Sequence, residues 1–489
     1  MSRTRKEAPS ASSPAAPPAK PRSKGLPGTR VDRRHFLALT GGAFLVAGVS
    51  TAMPARGQEG LPLPEPEEYI SGNGVLHAAI TATREAIDIG GKSVVGTVYN
   101  GAYLGPTLRL RPGDRLELDL INELPEITNL HFHGLHVSPE GISDNVFIVV
   151  EPGETQHYTV VIPENHPTGT FWYHTHAHPY TEAQVMGGLA GLLVIDGLGD
   201  LLPDDLQGIK ERTIALKDYQ EKDGAILLTG IDSNAPTTRT VNGSVNPSIT
   251  IDSGETQLWR LANIGADIYY NLSLDGHPFH VIASDGNPVW RVDAVESIVV
   301  PPGKRYDVLV QGAAAGTYEF KTLFYDQQGD QYPETLLATL TVNASERTPA
   351  EIPGKMVDPV DLSTAEVDEQ RTITFAKDQA TGHFLIDGQM FDENRIDQMV
   401  QLGALEEWTI VNDNNQQHPF HIHINDFQVV SVNGTPYDAT SHEDTINLPA
   451  FGEVVIRIPF DDFTGKFVYH CHILNHADMG MMATVEVVE

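Results

Sequence analysis

Short stretches in which apolar and polar residues alternate recur along the chain from about residue 60 onward. Side chains at positions i and i+2 of a strand point to the same face, so this alternation predicts strands with one buried face. The 44 glycines and 33 prolines favour short strands joined by turns over long helices. We therefore predict an all-β chain.

Several strand-like segments occur three times. One of them begins with glycine and ends with asparagine in each copy: GDRLELDLIN from Gly113, GETQLWRLAN from Gly254 and GALEEWTIVN from Gly403. The segments GTFWYHTH, GTYEFKTL and GKFVYHCH repeat in the same order. Copies lie 141 to 150 residues apart, which is the size of a β-sandwich domain. The sequence thus predicts three β-sandwich domains, at residues 60–200, 201–345 and 346–489.

Residues 1–57 differ in composition from the rest, with ten Lys or Arg against two Asp or Glu and many Pro, Ala and Ser. Such a segment cannot build a core, and it carries the pair Arg33 and Arg34 before a short apolar run. We predict a disordered leader with a twin-arginine signal, and therefore export by that machinery to the periplasm or the cell exterior. No other stretch is apolar for long enough to cross a bilayer, so we expect no membrane contact in the mature form.

The chain after residue 57 has 22 basic and 63 acidic residues, a formal charge of −41. This excess of negative charge argues against binding to nucleic acid or to anionic membranes. The single cysteine, Cys471, rules out an internal disulfide. It is either an incidental buried thiol or a group with a chemical task, and its neighbours His470 and His472 favour the second reading.

Histidine pairs of the form His-x-His occur only in the first and last copies of the repeat. The two imidazoles of such a pair lie on one face of a strand. The middle copy has Lys321, Leu323 and Ile282 at corresponding positions. We therefore predict a metal site shared by the first and last domains, with the middle domain as a spacer, and imidazole donors suit copper, zinc, iron or nickel. The pairs are His131/His133, His174/His176, His421/His423 and His470/His472.

Alternation also places Cys471 on the opposite face of its strand from its two histidine neighbours. The thiolate can therefore bind a second metal while those neighbours serve the shared site. His418, His476 and Met481 can complete this second site. One thiolate, two imidazoles and a weak thioether form the ligand set of a blue-copper electron-transfer centre.

The motifs HFHG, WYHTH, HPFHIH and HCHILNHADMGMM resemble the signature motifs of the three-domain multicopper oxidases, in particular the laccase-like bacterial members. The resemblance extends over residues 60–489 and implies three cupredoxin-like Greek-key β-sandwich domains, the second without copper. It also implies four copper ions: one type 1, one type 2 and a type 3 pair. In this chain type 1 copper would be held by His418, Cys471, His476 and Met481, type 2 by His131 and His421, and the type 3 pair by His133, His174, His176, His423, His470 and His472.

The resemblance further implies one-electron oxidation of phenolic or aromatic donors, coupled to four-electron reduction of O2 to water. Asp144 resembles the acidic residue beside the family's oxygen channel and is assigned a catalytic role in proton supply; the alternative is an aspartate in an Asx turn. Many family members have a glutamate directly after the histidine that corresponds to His476, whereas this chain has Ala477 followed by Asp478. The proton route therefore departs from the family pattern.

Two other functions fit the same motifs. One is a metal-ion oxidase acting on Cu(I), Fe(II) or Mn(II) in copper homeostasis, which the acidic body favours and the small number of methionines, nine, disfavours. The other is a non-enzymatic copper carrier or structural relative, which the complete set of ligands disfavours. We expect a monomer that acts on O2 and a small reducing substrate. Carboxylates that could hold that substrate beside His418 and His476 are Asp426, Glu443 and Asp444.

Overall fold

A computed structural model of the chain describes residues 60–489, so the predicted leader and its twin-arginine pair lie outside the described residues. Strands dominate this part of the chain, and its helices are short: α1 spans Thr181–Gly187, α2 spans Leu474–Asp478, and a 3-10 turn spans Leu198–Leu201. The prediction of an all-β chain is confirmed. None of the helices described is long and apolar enough to span a membrane.

Two sheets form the first sandwich, and the fully buried Leu118 and Leu193 belong to the core between them. The five-stranded sheet has the order Glu68–Ile70, Gly105–Leu110, Ala190–Ile195, Gly169–His174, His131–His133. The six-stranded sheet has the order Glu221–Lys222, Ala225–Ile226, Lys92–Tyr99, Val75–Ile89, Arg115–Asn122, Thr155–Val161. The hairpin at the edge of this second sheet comes from beyond residue 200 and joins through a bridge from Ala225 to Val95.

The second sandwich has the same construction. Its six-stranded sheet has the order Thr238–Val241, Lys210–Tyr219, Thr256–Asn263, Arg305–Gln311, Phe279–Ser284, Asn287–Val295. Its five-stranded sheet has the order Ser248–Asp252, Thr335–Asn343, Gly316–Thr322, Tyr270–Leu274, Ser297–Val300. A small separate sheet pairs Tyr325–Asp326 with Gln331–Tyr332.

The third sandwich carries the motifs HPFHIH and HCHILNHADMGMM. Its six-stranded sheet has the order Phe384–Ile386, Glu369–Lys377, Leu405–Asp413, Glu453–Pro459, Gln428–Val432, Thr435–Pro436. Its five-stranded sheet has the order Gln398–Gln401, Met482–Val488, Gly465–Cys471, His418–Ile422, Thr445–Leu448.

The repeated glycine-to-asparagine segments form equivalent strands, Arg115–Asn122, Thr256–Asn263 and Leu405–Asp413. Each pairs in parallel with an early strand of its own sandwich and antiparallel with a later one. The internal repeat in the sequence therefore corresponds to three copies of one strand arrangement. The domain limits at residues 60–200, 201–345 and 346–489 stay a prediction.

The middle copy of this strand differs from the other two in its burial. In the first copy, buried leucines alternate with half-buried polar residues, as the alternating pattern predicts. In the middle copy all eight residues are buried. The reason is that its outer face packs against the first sandwich, where Trp172 joins Ala262 in one apolar cluster and Thr170 contacts Arg260. The middle sandwich is thus in direct contact with the strand that leads to His174.

Candidate metal centres

Strand pairing brings the predicted imidazole ligands side by side. His131 lies opposite His174 in the first sandwich, and His421 lies opposite His470 in the last. Imidazoles of the first and last sandwiches stack where the two sandwiches contact each other: the His131 and His423 ring centroids are 3.7 Å apart. All eight side chains of the four His-x-His pairs are buried. The structure thus gathers them into a single cluster between the first and last domains.

The cluster divides into groups whose ligand atoms all lie within 4.8 Å of one another. The sequence assigned six histidines to the type 3 pair without dividing them between its two ions, and the structure supplies this division. The six residues predicted for the type 3 pair form two groups, and the two predicted for type 2 form a third group together with His133. These groups are His133/His174/His472, His176/His423/His470 and His131/His133/His421.

Hydrogen bonds to one nitrogen of a ring leave the other nitrogen free to bind a metal. His174 Nδ1–H donates to the Thr175 carbonyl oxygen at 2.7 Å, and His470 Nδ1–H donates to the Cys471 carbonyl oxygen at 2.9 Å. The Nε2 atoms of both rings are thereby directed to the cluster. His470 Nε2 lies 3.2 Å from the Nε2 atoms of both His176 and His423, a spacing that donors to a common ion adopt.

The chemistry of the cluster fits copper. Six of its eight histidines have a buried ring nitrogen that has no hydrogen-bond partner among the described residues, and a metal ion satisfies such nitrogens. Burial lowers the pKa of His174 to about 3, so that its ring is neutral and available as a ligand at ordinary pH. Imidazole donors in this number suit copper among the first-row metals. The unpartnered nitrogens belong to His131, His133, His174, His421, His423 and His472.

Cys471 belongs to a second, separate group of donors. Its Sγ lies 3.4 Å from His418 Nδ1 and 3.6 Å from His476 Nδ1, and these two nitrogens are 3.1 Å apart. All three side chains are buried. Met481, the fourth predicted ligand, is also fully buried, and its backbone carbonyl oxygen accepts from the Cys471 N–H at 3.1 Å. Burial raises the pKa of the Cys471 thiol, so a bound metal is needed to hold it as thiolate.

Asp144 lies directly behind the His131 ring. Its carboxylate oxygens are 3.0 and 3.1 Å from His131 Nδ1, and one of them also accepts from the Phe132 backbone N–H at 2.9 Å. Burial raises the pKa of Asp144 to about 8, although the bond from Phe132 acts in the opposite direction. The carboxyl group is therefore a ligand-orienting group that can also hold a proton.

The prediction that Asp426, Glu443 and Asp444 hold a donor beside the Cys471 group is wrong. Glu443 accepts from Lys304 Nζ at 2.5 Å, and Asp444 accepts from both Nη atoms of Arg305. Asp426 accepts from the Asn287 side chain at 3.0 Å. The three carboxylates face residues of the middle domain, because their segment packs against it.

Sequence reasoning missed the residues that cover His476. The Phe384 ring stacks on its imidazole with centroids 3.8 Å apart, and Lys377 Nζ lies 4.6 Å from the centroid of Phe384. Gln416 Nε2 is 3.3 Å from His476 Nε2. These residues come from strands and turns whose approach to α2 depends on the fold, and no spacing rule links them to the ligand.

The position after His476 carries no acidic group. Ala477 is buried within α2, and the next residue, Asp478, accepts from the backbone N–H of Glu182 in α1 at 2.8 Å. Asp478 also lies 3.6 Å from His178 Nδ1. Asp478, the acidic residue that follows Ala477, is thus hydrogen-bonded to the first domain.

Comparison with known proteins agrees with this arrangement. Three family models described as Multicopper oxidase match residues 81–199, 194–345 and 355–489. The solved structure titled "Multicopper oxidase from Campylobacter jejuni: a metallo-oxidase" superposes with a TM-score of 0.77 at 28% identity, covering 89% of this chain and 96% of that one. The cupredoxin-like sandwiches expected from the sequence are confirmed by this likeness.

Curated relatives cover most of the chain as well. Multicopper oxidase mco of Staphylococcus haemolyticus is 31% identical over 400 residues, which is 80% of this chain and 83% of the relative. Cell division protein FtsP of Xenorhabdus nematophila is 29% identical over 479 residues, which is 94% of this chain and 98% of the relative. Three family models match the sequence, and the structure contains a buried histidine cluster and a separate group of ligands around Cys471. This chain therefore belongs to the multicopper oxidase family.

Proposed function

We propose that the protein is a laccase-like oxidase, which removes electrons one at a time from phenolic or aromatic donors and passes them to O2 to form water. The observation that carries the proposal is the position of Cys471. Its sulfur belongs to the group with His418 and His476, while the residues on either side of it, His470 and His472, belong to the buried histidine cluster. The backbone of residues 470–472 therefore links the two groups of ligands covalently.

Copper ions bound at these groups supply one-electron acceptance at the Cys471 side and multi-electron reduction of O2 at the histidine cluster. The chain contributes neutral, fixed imidazoles and a low-polarity surrounding that keeps water from the electron path. Asp144 holds the His131 ring and carries a carboxyl group next to the cluster, which supports its proposed role in proton supply.

A cavity of about 260 Å³ supports access of a small molecule to the cluster. It is lined by His176 on one side and by apolar residues such as Val146, Phe391 and Met482 on the other. A cavity of this size admits O2. His476, which belongs to the Cys471 group and not to this lining, offers a separate entry point for electrons.

The residues around His476 support an aromatic donor. Phe384 offers a ring face directly on the imidazole, and Gln416 offers a polar amide at its edge. Burial first, and then His418 and the positive charge of Lys377, lower the pKa of His476, so its ring is neutral. The Lys377 ammonium, which lies against Phe384, disfavours the approach of Cu(I), Fe(II) and Mn(II) and favours that of phenolates.

Metal-ion oxidation is the second candidate, and two observations favour it. The structural relative from Campylobacter jejuni is titled a metallo-oxidase, and the acidic residues of this chain outnumber its basic ones by 65 to 32. A negative body raises the local concentration of cations. A third, non-oxidative role is raised by the name of the FtsP relatives, and the complete donor set argues against it.

The test is O2 uptake by the copper-loaded protein with 2,6-dimethoxyphenol and, separately, with Cu(I) under identical conditions. We expect kcat/KM for the phenol to exceed that for Cu(I), with four electrons withdrawn from donor for each O2 consumed. Faster turnover of Cu(I) would identify a metal-ion oxidase. Uptake with neither donor, despite full copper loading, would overturn an oxidase function.

The site of action and the assembly state are also proposals. The pair Arg33 and Arg34 before an apolar run supports export by the twin-arginine route to the periplasm or cell exterior. Because the histidine cluster is complete within one chain, no second copy is needed to build it, which supports a monomer. Fractionation of cells with and without an Arg33→Lys/Arg34→Lys change, followed by light scattering of the exported protein, tests both.

A further inference from the structure

Two adjacent cations of the middle domain, Lys304 and Arg305, are buried against the last domain. Lys304 Nζ donates to Asp285 at 2.8 Å and to Glu443 at 2.5 Å. Arg305 binds Asp444, the residue that follows Glu443. Consecutive cations of one domain thus meet consecutive carboxylates of another, so the middle domain is more than the spacer that the sequence predicted.

The Arg305 guanidinium is fully buried and its hydrogen bonds reach three domains. Its two Nη atoms donate to the two carboxylate oxygens of Asp444 at 2.8 and 2.6 Å, a bidentate pair. Its Nε donates to the carbonyl oxygen of Thr170 in the first domain at 3.1 Å. One Nη also donates to the Gly303 carbonyl oxygen at 3.1 Å and lies 3.3 Å from Asp285. The side chain has no freedom to turn without breaking several of these bonds.

Asp444 in turn contacts two rings of the histidine cluster. His421 Nδ1–H donates to the Asp444 backbone carbonyl oxygen at 2.9 Å and lies 3.4 Å from the Asp444 carboxylate; His421 Nε2 has no hydrogen-bond partner among residues 60–489. His133 Nε2–H lies 3.3 Å from the Asp444 carboxylate, and within the same described range His133 Nδ1 has no partner. A single aspartate thus selects opposite tautomers for two stacked rings, one from each outer domain.

Both carboxylate oxygens of Asp444 accept hydrogen bonds from the Arg305 guanidinium. The carboxylate therefore accepts hydrogen bonds and does not donate them. A Cβ added at Gly134, directly after His133, would overlap both Arg305 and Asp444. The glycine at position 134 of the first domain thus leaves the space that the Arg305 guanidinium of the middle domain occupies.

We propose that Arg305 is a positioning residue of the histidine cluster: through Asp444 it fixes the ring orientation and the metal-binding nitrogen of His133 and His421. The inference rests on the proposed copper-dependent function, since it assigns the residue to the same centre. It assigns a role to the middle domain, in which no copper ligand is predicted: its Arg305 fixes the orientation of two ligands that belong to different domains.

The physical reason for an arginine here is geometric. A planar guanidinium binds both carboxylate oxygens at once and so sets the plane of Asp444, whereas a lysine ammonium binds as a single point and leaves that plane free to rotate. Residues that orient metal ligands typically change metal affinity by about 10–100-fold when they are replaced. We therefore expect Arg305→Lys to weaken copper binding at the cluster by about tenfold and Arg305→Met by about 100-fold.

The experiment compares Arg305→Lys and Arg305→Met with a matched control, Arg260→Lys. Arg260 is also fully buried in the middle domain, pairs with a buried carboxylate of Asp307 at 3.0 Å, and reaches Thr170 of the first domain, but it does not contact Asp444. Copper content, the electron paramagnetic resonance spectrum of the type 2 copper, and thermal unfolding of the copper-free proteins are measured for each.

A positioning role predicts altered type 2 hyperfine splitting and lower copper content in both Arg305 variants, with partial recovery in Arg305→Lys relative to Arg305→Met. The Arg260 variant should lose thermal stability and keep the wild-type spectrum. Equal loss of stability in Arg305→Lys and Arg260→Lys, with an unchanged spectrum in both, would overturn the inference. Wild-type protein that binds copper but consumes no O2 would instead overturn the proposed function and leave the spectral test of Arg305 intact.

Discussion

The imidazole of His133 lies flat on that of His421, with ring centroids 3.8 Å apart and planes 10° from parallel. One ring belongs to the first domain and the other to the last, and neither strand alone could create the contact. Burial lowers the pKa of His133, so its ring is neutral and available as a ligand. The buried interface between the domains therefore holds ligands of both domains together before any metal is bound.

Replacement of Cys471 by serine should abolish donor oxidation and spare the histidine cluster. Serine oxygen is too hard and too basic to replace a thiolate as a copper ligand, so the blue absorption and the entry of electrons are lost. We expect kcat for phenolic donors below about one-thousandth of the wild-type value. Oxygen uptake and visible absorption of the purified variant provide the measurement.

The control for this variant is its type 2 copper signal. The predicted type 2 ligands, His131 and His421, belong to a donor group that does not include Cys471. The signal should therefore remain. A Cys471→Ser protein that kept a tenth of wild-type turnover would show that electrons bypass this residue.

The histidine pairs and Cys471 could be predicted from the sequence because strand alternation alone decides which side chains share a face. Which three histidines share an ion depends on how the two outer domains dock, and no spacing within either domain contains that information. Asp444 was assigned to the wrong site for the same reason, since its partner is Arg305, 139 positions away in the middle domain. A signal was available, since the middle copy reads Lys304–Arg305 where the first copy has Glu154 and Thr155.

Replacement of Gly134 by alanine should destabilise the protein and disturb the cluster. Gly134 has φ +85°, and a Cβ there would overlap the paired groups of Arg305 and Asp444. The left-handed backbone costs about 1 kcal/mol in any non-glycine residue, and the steric conflict adds about 2 kcal/mol in the free energy of unfolding. Chemical denaturation and copper content measure the two effects.

Gly141→Ala isolates the backbone contribution. Gly141 also has a positive φ, +62°, but a Cβ there would meet no atom within 4 Å. Its variant should lose about 1 kcal/mol and bind copper normally. Equal losses in the two variants would mean that the space around Gly134 is not restrictive.

His166 should make the copper-loaded protein sensitive to acid. Its Nδ1–H donates to the Pro167 carbonyl oxygen at 2.8 Å, while its Nε2 accepts from the His136 backbone N–H at 3.0 Å, so both bonds require the neutral ring. Burial lowers the pKa of His166 to about 4, below the unfolded value of about 6.5. The unfolded state therefore binds more protons between these values, and stability falls as the pH drops from about 6.5 to 4, by about 1.4 kcal/mol per unit.

His166→Gln keeps an acceptor for the His136 amide but has no group that titrates in this range. The difference in unfolding free energy between variant and wild type should therefore shift in favour of the variant as the pH is lowered from 7 to 5. Both proteins have a neutral side chain at pH 7.5, which provides the reference point. Parallel pH profiles for the two proteins would show that the acid sensitivity arises elsewhere.

Charge reversal at Lys377 should change the choice of donor. Lys377 lies against Phe384, and Phe384 covers His476, so the ammonium acts on the point at which electrons are expected to enter. Lys377→Glu replaces a potential that repels cations with one that attracts them. We expect kcat/KM for Cu(I) to rise and that for phenolates to fall, each by about threefold to tenfold at low ionic strength.

The same reversal at Lys355, which pairs with Asp358 on the surface, controls for net charge. The two variants are also compared at 0.1 M salt, where exposed charges are screened within about 10 Å; there Lys355→Glu should leave both donors unaffected, while the effect at Lys377 is reduced but kept. Equal changes in the two variants would assign the effect to the acidic body as a whole. In that case the donor would be gathered by long-range attraction, and the contacts around His476 would not determine which donor is oxidised.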